Sequence, residues 1–249
     1  MGAAVGQSLV TGGHEVLWLP AGRSEATATR AQAAGLTGAA DLGDLVRRAD
    51  VVLSVCPPHG ALDVARQLAG AGFGGLYLDA NAIAPATARE VASLVAEAGA
   101  SYVDGGIIGT PPVKPGFIRL YLSGAKAREI GALFDGTAVT THLVERDEVG
   151  AASAVKMAYA SWTKESAALL LAARALARAE GVEDALLAEW EQSQPGLVQR
   201  WDRAATAAAK KGWRWVAEME EIAASMAADG LPAGFHQAAA DIYRDPPTG

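Results

Sequence analysis

Cysteine is almost absent from this chain of 249 residues, in which Cys56 is the only one. A single thiol cannot form an internal disulfide or a cysteine-based zinc site, which is typical of a protein kept in a reducing compartment. No apolar run approaches the ~20 residues that a membrane-spanning helix needs. The N-terminus also has no basic region followed by an apolar signal core. We therefore expect a cytoplasmic protein.

Positive charge is also scarce, with 21 Lys and Arg residues against 28 Asp and Glu residues, for a net charge of -7. Binding to nucleic acid or to an anionic membrane surface requires clustered positive charge. Neither partner is expected. The four histidines and the carboxylates show no spacing typical of metal ligands, so no metal site is predicted.

The first half of the chain, to about Glu145, alternates short β-rich runs with helical stretches. This alternation predicts an α/β fold with a mostly parallel, doubly wound sheet. The predicted strands are His14–Leu19, Val51–Cys56, Leu76–Asp79, Ser101–Val103, Ile118–Leu122 and Thr140–Val144. Such sheets bind ligands at the carboxyl ends of their strands, so the loops after Leu19, Cys56 and Asp79 are candidate walls of a site.

Beyond Glu145 every apolar pattern is helical and rich in alanine, which predicts an all-α second domain. A long helix from Glu148 to about Arg178 is expected to form its spine, with shorter helices after it. We place the boundary so that residues 1–147 form the α/β domain and residues 148–249 form the all-α domain.

The first nineteen residues match the latter part of a Rossmann dinucleotide-binding unit, which consists of a strand, a glycine-rich turn and a helix. Met1–Gly6 is expected to open the helix, and His14–Leu19 is the strand that follows it. Gly2 would be the third glycine of the G-x-G-x-x-G pattern, where the missing side chain allows close packing. The first strand and the first two glycines are then expected upstream of Met1. An ordinary N-terminal helix is the alternative.

The loop after the first predicted strand indicates which dinucleotide is preferred. NAD-binding proteins place a carboxylate there for the ribose hydroxyls, and this loop has none. Arg23 and Ser24 instead offer a guanidinium and a hydroxyl that could hold the 2′-phosphate of NADP. In the alternative, Ser24 caps the next helix and Arg23 is solvated. NADP is the predicted cofactor, with NAD as the other choice.

Four further segments resemble the β-hydroxyacid dehydrogenase and 6-phosphogluconate dehydrogenase superfamily, and they occur in the family's order. They are Ala49–Pro58, Leu78–Asn81, Tyr102–Gly109 and Gly150–Lys156. The segment Trp213–Ile222 and the later Gly234–His236 resemble a bacterial branch of phosphogluconate dehydrogenase-like proteins whose C-terminal domain has no known function. The resemblance covers nearly the whole chain.

This resemblance implies roles for particular residues. Those implied at the cofactor, besides Arg23 and Ser24, are Gly2, Val55, Cys56, Pro57, Pro58 and Asn81. Candidates at the substrate are Gly105, Gly106, Ile108, Gly109, Tyr159, Thr163 and His236. For Cys56 and His236 a packing role is the alternative. The resemblance also implies that residues 1–147 form a dinucleotide-binding domain, that residues 148–249 form a helical domain for substrate binding and dimerisation, and that the protein is a homodimer.

Lys156 matches the family's catalytic lysine. It lies among alanines and Val155, and an apolar setting lowers a lysine's pKa, which suits a general acid or base. The alternative is a solvated surface charge.

Two positions depart from the family, because Ala160 replaces an asparagine and Ile108 a substrate-anchoring serine. A bulkier or less anionic substrate is therefore expected, with Tyr159, Thr163 or Lys164 in place of the asparagine. The predicted activity is hydride transfer between NADP and a hydroxy or carbonyl compound. The alternatives are an imine reductase-like enzyme and a non-catalytic dinucleotide-binding relative.

Overall fold

The computed structural model describes residues 1–111 and 116–247. It divides into two compact units, Met1–Lys156 and a second that begins at Met157. The division falls inside a helix, whereas the predicted domain boundary at 147/148 precedes that helix. The assignment of a cofactor domain and a substrate domain stays a prediction.

The first unit alternates helices and strands along the chain. Its elements are α1 (Gly2–Thr11), β1 (Leu17–Trp18), α2 (Glu25–Ala33), β2 (Thr37–Gly38), α3 (Leu42–Arg48), β3 (Val51–Ser54), α4 (Ala61–Gly70), β4 (Leu76–Asp79), α5 (Pro85–Glu97), β5 (Ser101–Gly109), β6 (Ile118–Ser123), α6 (Ala127–Ala132), β7 (Val139–Leu143) and the start of α7 (Ala151–Ala179). A short 3-10 helix, Pro58–Gly60, precedes α4.

Strands β3 to β7 form one sheet in the order β3-β4-β5-β6-β7, and β1 pairs with β2 in a separate two-stranded parallel sheet. All pairs are parallel except β5 with β6. Successive residues of a strand belong to apolar clusters on opposite faces of the sheet, as Leu78 and Tyr77 of β4 do. A sheet buried on both faces is what α/β crossovers produce. The predicted α/β class with a mostly parallel sheet is confirmed.

Strand β5 continues six residues beyond its predicted end at Val103, as far as Gly109. The glycines inside it reflect close packing rather than a turn. A Cβ on Gly105 would lie 2.7 Å from the carbonyl oxygen of Asp79, and one on Gly106 would lie 2.6 Å from that of Ala152. Both distances are shorter than real Cβ contacts allow, so a side chain at either position would push β5 away from its neighbours.

The second unit is helical, as predicted, and contains most of α7 followed by α8 (Glu183–Ser193), α9 (Leu197–Ala228) and α10 (Gly234–Arg244). The expectation of shorter helices after α7 is wrong for α9, which has 32 residues against 29 in α7. Gly212 lies inside α9, where the carbonyl oxygen of Tyr243 in α10 approaches to 3.1 Å from the place of a Cβ. Among the described residues, no helix is both long and apolar enough to cross a membrane.

Candidate functional site

The parallel pairing of β3, β4 and β5 ends in one row of the first unit, at the carboxyl ends of β3 and β4. Ser54 of β3 pairs with Asp79 of β4, and Asp79 pairs with Asp104 of β5. All three side chains are buried. Ligands of doubly wound sheets bind outside this edge, so the loops that follow the row form the candidate site.

The N-terminus of α1 lies against the first of these loops. A Cβ on Gly2 would be 3.8 Å from the Cβ of Val55, which is an ordinary contact distance. The close packing expected of Gly2 occurs instead at Gly6, where a Cβ would lie 3.2 Å from the Leu36 side chain. No side chain caps α1 by a hydrogen bond. The backbone amides and positive dipole end of a helix N-terminus favour anions, and here they adjoin the end of β3.

Asn81 ties the loops after β3 and β4 together. Its side-chain oxygen accepts a hydrogen bond from the Cys56 amide at 2.6 Å, and its side-chain nitrogen donates to the Ser54 hydroxyl at 2.9 Å. Its backbone N–H donates to the Asp79 carboxyl at 2.9 Å. Asn81 is 2% exposed, so it supports the loop from within the fold. In that loop Val55, Cys56 and Pro58 are partly buried and Pro57 is exposed.

Arg23 is exposed in the loop after β1, yet its charge reaches Cys56. Burial raises the pKa of the Cys56 thiol, and the nearby Arg23 guanidinium acts in the opposite direction. Ser24 is the N-cap residue of α2, but its hydroxyl lies 3.1 Å from that of Thr27 and makes no cap hydrogen bond.

Asp79 is the most perturbed acid of the site. Burial raises the pKa of this carboxyl to about 7, and the charge of Asp104 beside it acts in the same direction. The hydrogen bond from the Asn81 amide works against this rise. A carboxyl of this kind gains and loses its proton near neutral pH.

Lys156 lies in the first unit, where α7 crosses β5. A Cβ on Gly106 would be only 3.0 Å from the Cβ of Lys156. Gly106 is two residues past Asp104, hence about 7 Å beyond the row at the carboxyl ends of the strands. The structure thus brings the predicted catalytic lysine to the same edge as the predicted cofactor loops. Lys156 is partly buried there.

The remaining predicted substrate residues divide between the two units. Ile108 is 3% exposed in β5, and Gly109 at the strand end has a φ of +121°, a conformation that favours glycine. Tyr159, Thr163 and His236 belong to the second unit. There the Thr163 hydroxyl donates to the Tyr159 carbonyl oxygen at 3.0 Å.

His236 is buried on α10, with its Nδ1 2.9 Å from a carboxylate oxygen of Glu165 on α7. Lys164, another of the candidates, forms an ion pair with Glu218 of α9 and donates a hydrogen bond to it. Both contacts join helices within the second unit. The substrate roles of these residues stay predictions.

One buried polar cluster was not predicted as part of the site. Asp104, Ser123 and Ser153 are joined by hydrogen bonds beneath the first turn of α7. The signal available in the sequence was an acidic residue within an apolar strand pattern, together with a serine in the first turn of a helix. Across the described ranges, no group of three His, Cys, Asp or Glu side chains could hold a metal ion.

Comparison with known proteins gives matches along most of the chain. Residues 1–128 match the family described as the NAD binding domain of 6-phosphogluconate dehydrogenase, and residues 177–245 match a domain of unknown function (DUF1932). An uncharacterised 28.5 kDa protein encoded in the 7S RNA 5′ region of Methanothermus fervidus is 34% identical over 173 residues. That match covers 70% of this chain and 66% of the relative, just under two thirds of its length.

Several solved structures share the fold. A conserved protein of unknown function, described as structurally similar to 3-hydroxyacid dehydrogenases, is 28% identical with a TM-score of 0.71, covering 98% of this chain and 93% of its own. The 3-hydroxyisobutyrate dehydrogenase of Mycobacterium tuberculosis with L-serine is 21% identical with a TM-score of 0.72, covering 98% and 89%. A reductive aminase from Aspergillus terreus with NADPH and ethyl-5-oxohexanoate is 21% identical with a TM-score of 0.61, covering 98% and 89%. The last two show the fold alone.

Proposed function

We propose that this chain, which belongs to the family described as the NAD binding domain of 6-phosphogluconate dehydrogenase, is an NADP-dependent oxidoreductase acting on a hydroxy or carbonyl compound. One observation supports this more than any other. Lys156 packs against Gly106 just past the row of Ser54, Asp79 and Asp104, and this edge is where doubly wound sheets bind their ligands.

The residues around the sheet edge fit a nicotinamide dinucleotide. The N-terminus of α1 beside Val55 would hold the pyrophosphate. Arg23 and Ser24 are exposed, and the hydroxyl of Ser24 is not used as a helix cap, so both can take the 2′-phosphate of NADP. The loop from Val55 to Pro58, held from beneath by Asn81, would support the remainder. The bound nicotinamide supplies or accepts the hydride.

Lys156 moves the proton in this proposal. Reduction of a carbonyl group adds a hydride to the carbon and requires a proton on the oxygen. The Lys156 ammonium donates that proton and becomes a neutral amine. In the oxidation direction the amine takes the proton from the hydroxyl group. A positioned general acid or base contributes about a hundredfold to ten-thousandfold in rate.

Reduction of an imine is the second candidate. The observation that favours it is Ile108, which is buried in β5 and apolar at the position of the family's substrate-anchoring serine. A pocket without that hydroxyl suits an uncharged ketone or imine better than a hydroxy acid. The retained Lys156 argues for the first candidate.

Cofactor choice is tested by titrating the protein with NADPH and with NADH, using nicotinamide fluorescence. The change Arg23→Ala should weaken NADPH binding by about 1–3 kcal/mol, because a charge-assisted bond to the 2′-phosphate is lost. NADH binding should stay almost unchanged. The control is Arg66→Ala on α4, which removes the charge of another exposed arginine outside that loop. An equal loss for both cofactors would contradict the assignment of NADP.

We further propose that the protein is a cytoplasmic homodimer. The exposed apolar side chains of the second unit support the dimer. Trp162, Leu169 and Leu176 recur every seven residues on α7 and are 69%, 67% and 64% exposed. Beside Leu169 lies an apolar groove of about 430 Å³, lined in part by Phe235 and Ile242. One surface that offers both a stripe of large side chains and a groove suits a second copy related by twofold symmetry.

A further inference from the structure

The first turn of α7 is held on the sheet by a buried carboxylate. The Asp104 carboxylate accepts a hydrogen bond from the Ser153 hydroxyl at 2.6 Å and another from the Ser153 backbone amide at 2.9 Å. It accepts a third from the Ser123 hydroxyl at 3.0 Å. The Ser123 hydroxyl oxygen in turn accepts a hydrogen bond from the Ala152 backbone amide at 3.0 Å. Two backbone amides at the start of α7 are thereby satisfied by side chains of β5 and β6.

This cluster lies next to the contact between Gly106 and Lys156. Asp104 and Gly106 are two residues apart in β5, so both face the same side of the sheet. Ser153 and Lys156 are three residues apart in α7, so both lie on the same face of the helix. The helix therefore meets the strand at two adjacent points, a polar one at Asp104 and a close steric one at Gly106. Two such points fix both the position of the helix along the strand and its rotation about its own axis.

An acidic side chain buried at this position lowers the stability of the fold unless its interactions compensate. A fully buried carboxylate loses its hydration, and only several hydrogen bonds or opposite charges offset that loss. Asp104 is 0% exposed and has three hydrogen bonds, and it adjoins the positive dipole end of a helix of 29 residues. A surface serine would cap the helix at a lower cost. The carboxylate within the strand does more, because it binds the helix to β5 itself.

We propose that Asp104, acting through Ser153 and Ser123, is a positioning residue that holds Lys156 at the sheet edge. The inference rests on the proposed function only for the chemistry of Lys156. The placement of the lysine does not depend on it. Asp104 does not touch the substrate in this proposal.

The test compares two substitutions of buried carboxyls in neighbouring strands. Asp104→Asn keeps the shape of the side chain but replaces one carboxylate oxygen with an NH₂ group, which then faces the hydrogen-bond donors of Ser123 and Ser153. Asp79→Asn is the matched control, since Asp79 pairs with Asp104 in the sheet, is also buried and accepts a hydrogen bond from Asn81 rather than from α7. Two NMR readouts need no substrate: the side-chain signals of Lys156 in lysine-labelled protein, assigned with Lys156→Arg, and hydrogen exchange of the backbone amides.

In Asp104→Asn we expect the Lys156 signals to shift or broaden, and the amides of Ala152 and Ser153 to exchange at least about tenfold faster. Amides in the middle of α7 should keep their rates, and Asp79→Asn should leave the Lys156 signals in place. If Asp104→Asn does not fold, Ser153→Ala removes the hydroxyl bond alone and should move the same signals by less. Unchanged Lys156 signals in the folded variant would overturn the inference.

This outcome is separate from the outcome for the proposed function. If Asp104→Asn moves the Lys156 signals but replacing Lys156 has no effect on turnover, Asp104 is a positioning residue and the catalytic role of Lys156 is wrong. If the signals do not move but Lys156 is needed for turnover, the catalytic role is supported and the positioning role of Asp104 is wrong.

Discussion

The buried carboxyl of Asp79 makes the stability of the folded protein depend on pH. Its carboxyl is 1% exposed, and its pKa rises from 3.8 to about 7, mainly through burial and also through the charge of Asp104. A group that binds its proton more tightly in the folded state stabilises that state at low pH. The stabilisation is lost as the pH rises from the unfolded pKa through the folded one.

The prediction concerns the free energy of unfolding between pH 4 and pH 8. Relative to Asp79→Asn, the parent should lose stability as the pH rises from about 4 to about 7, by a few kcal/mol, since each pKa unit corresponds to about 1.4 kcal/mol. Above pH 7 the Asn variant should be the more stable protein. Urea unfolding at several pH values measures this. Asp63→Asn on the surface of α4 is the control, and it should follow the parent. Parallel curves for Asp79→Asn and the parent would show that Asp79 has an ordinary pKa.

Individual residues of the site were predicted to the extent that they belong to short segments. Lys156 and Asn81 were predicted from motifs of a few residues, and the structure places Lys156 against β5 and Asn81 beneath the loop after β3, while their roles stay predictions. The Asp104 cluster was not, because Asp104 and Ser153 are 49 residues apart in the chain and meet only when α7 packs on β5. A serine and an aspartate so far apart give no local pattern. The role of Gly2 was taken from a motif, yet the close packing is found at Gly6.

At the scale of elements, the apolar patterns predicted the existence of most helices and strands. They predicted the ends of these elements less well. Strand β4 has the predicted bounds, Leu76–Asp79, because its burial on both faces gives one continuous apolar run. Strand β5 was predicted to end at Val103 and the helices after α7 to be shorter than α7, whereas β5 continues through Gly105 and Gly106 and α9 continues through Gly212. In the structure these glycines mark places where two elements touch. A glycine needed for a tertiary contact cannot be distinguished in sequence from one that ends an element.

The short strand β2, Thr37–Gly38, was missed for a different reason. It has two residues, both exposed, and pairs only with β1. Strands of this length have no period that a pattern could reveal. The loop that contains Arg23 follows β1, which pairs with this short strand. The position of Arg23 and Ser24 therefore depends on a strand pair that the sequence pattern does not predict.

At the scale of the whole molecule, the exposed stripe on α7 predicts self-association. Leu169→Glu places a charge at the middle of the stripe and should raise the dissociation constant of the dimer at least about tenfold, because a buried unpaired charge is costly. Val182→Glu is the control, since Val182 is also exposed but lies between α7 and α8. Analytical ultracentrifugation should give the parent twice the 25.5 kDa of one chain. A monomeric parent, or a dimer that Leu169→Glu leaves intact, would contradict the proposal.

The central claim is that Lys156 moves the proton in a reaction that uses NADPH. Its most direct test is the rate of NADPH oxidation by the parent and by Lys156→Met with a panel of ketones, oxo acids and imines. Methionine keeps most of the volume of the lysine stem, so the fold should survive. The control is Lys126→Met, which removes an exposed lysine at the start of α6. The account predicts that kcat falls at least about a hundredfold in Lys156→Met, while NADPH affinity changes less than threefold and Lys126→Met behaves as the parent. A kcat within a few-fold of the parent would contradict it.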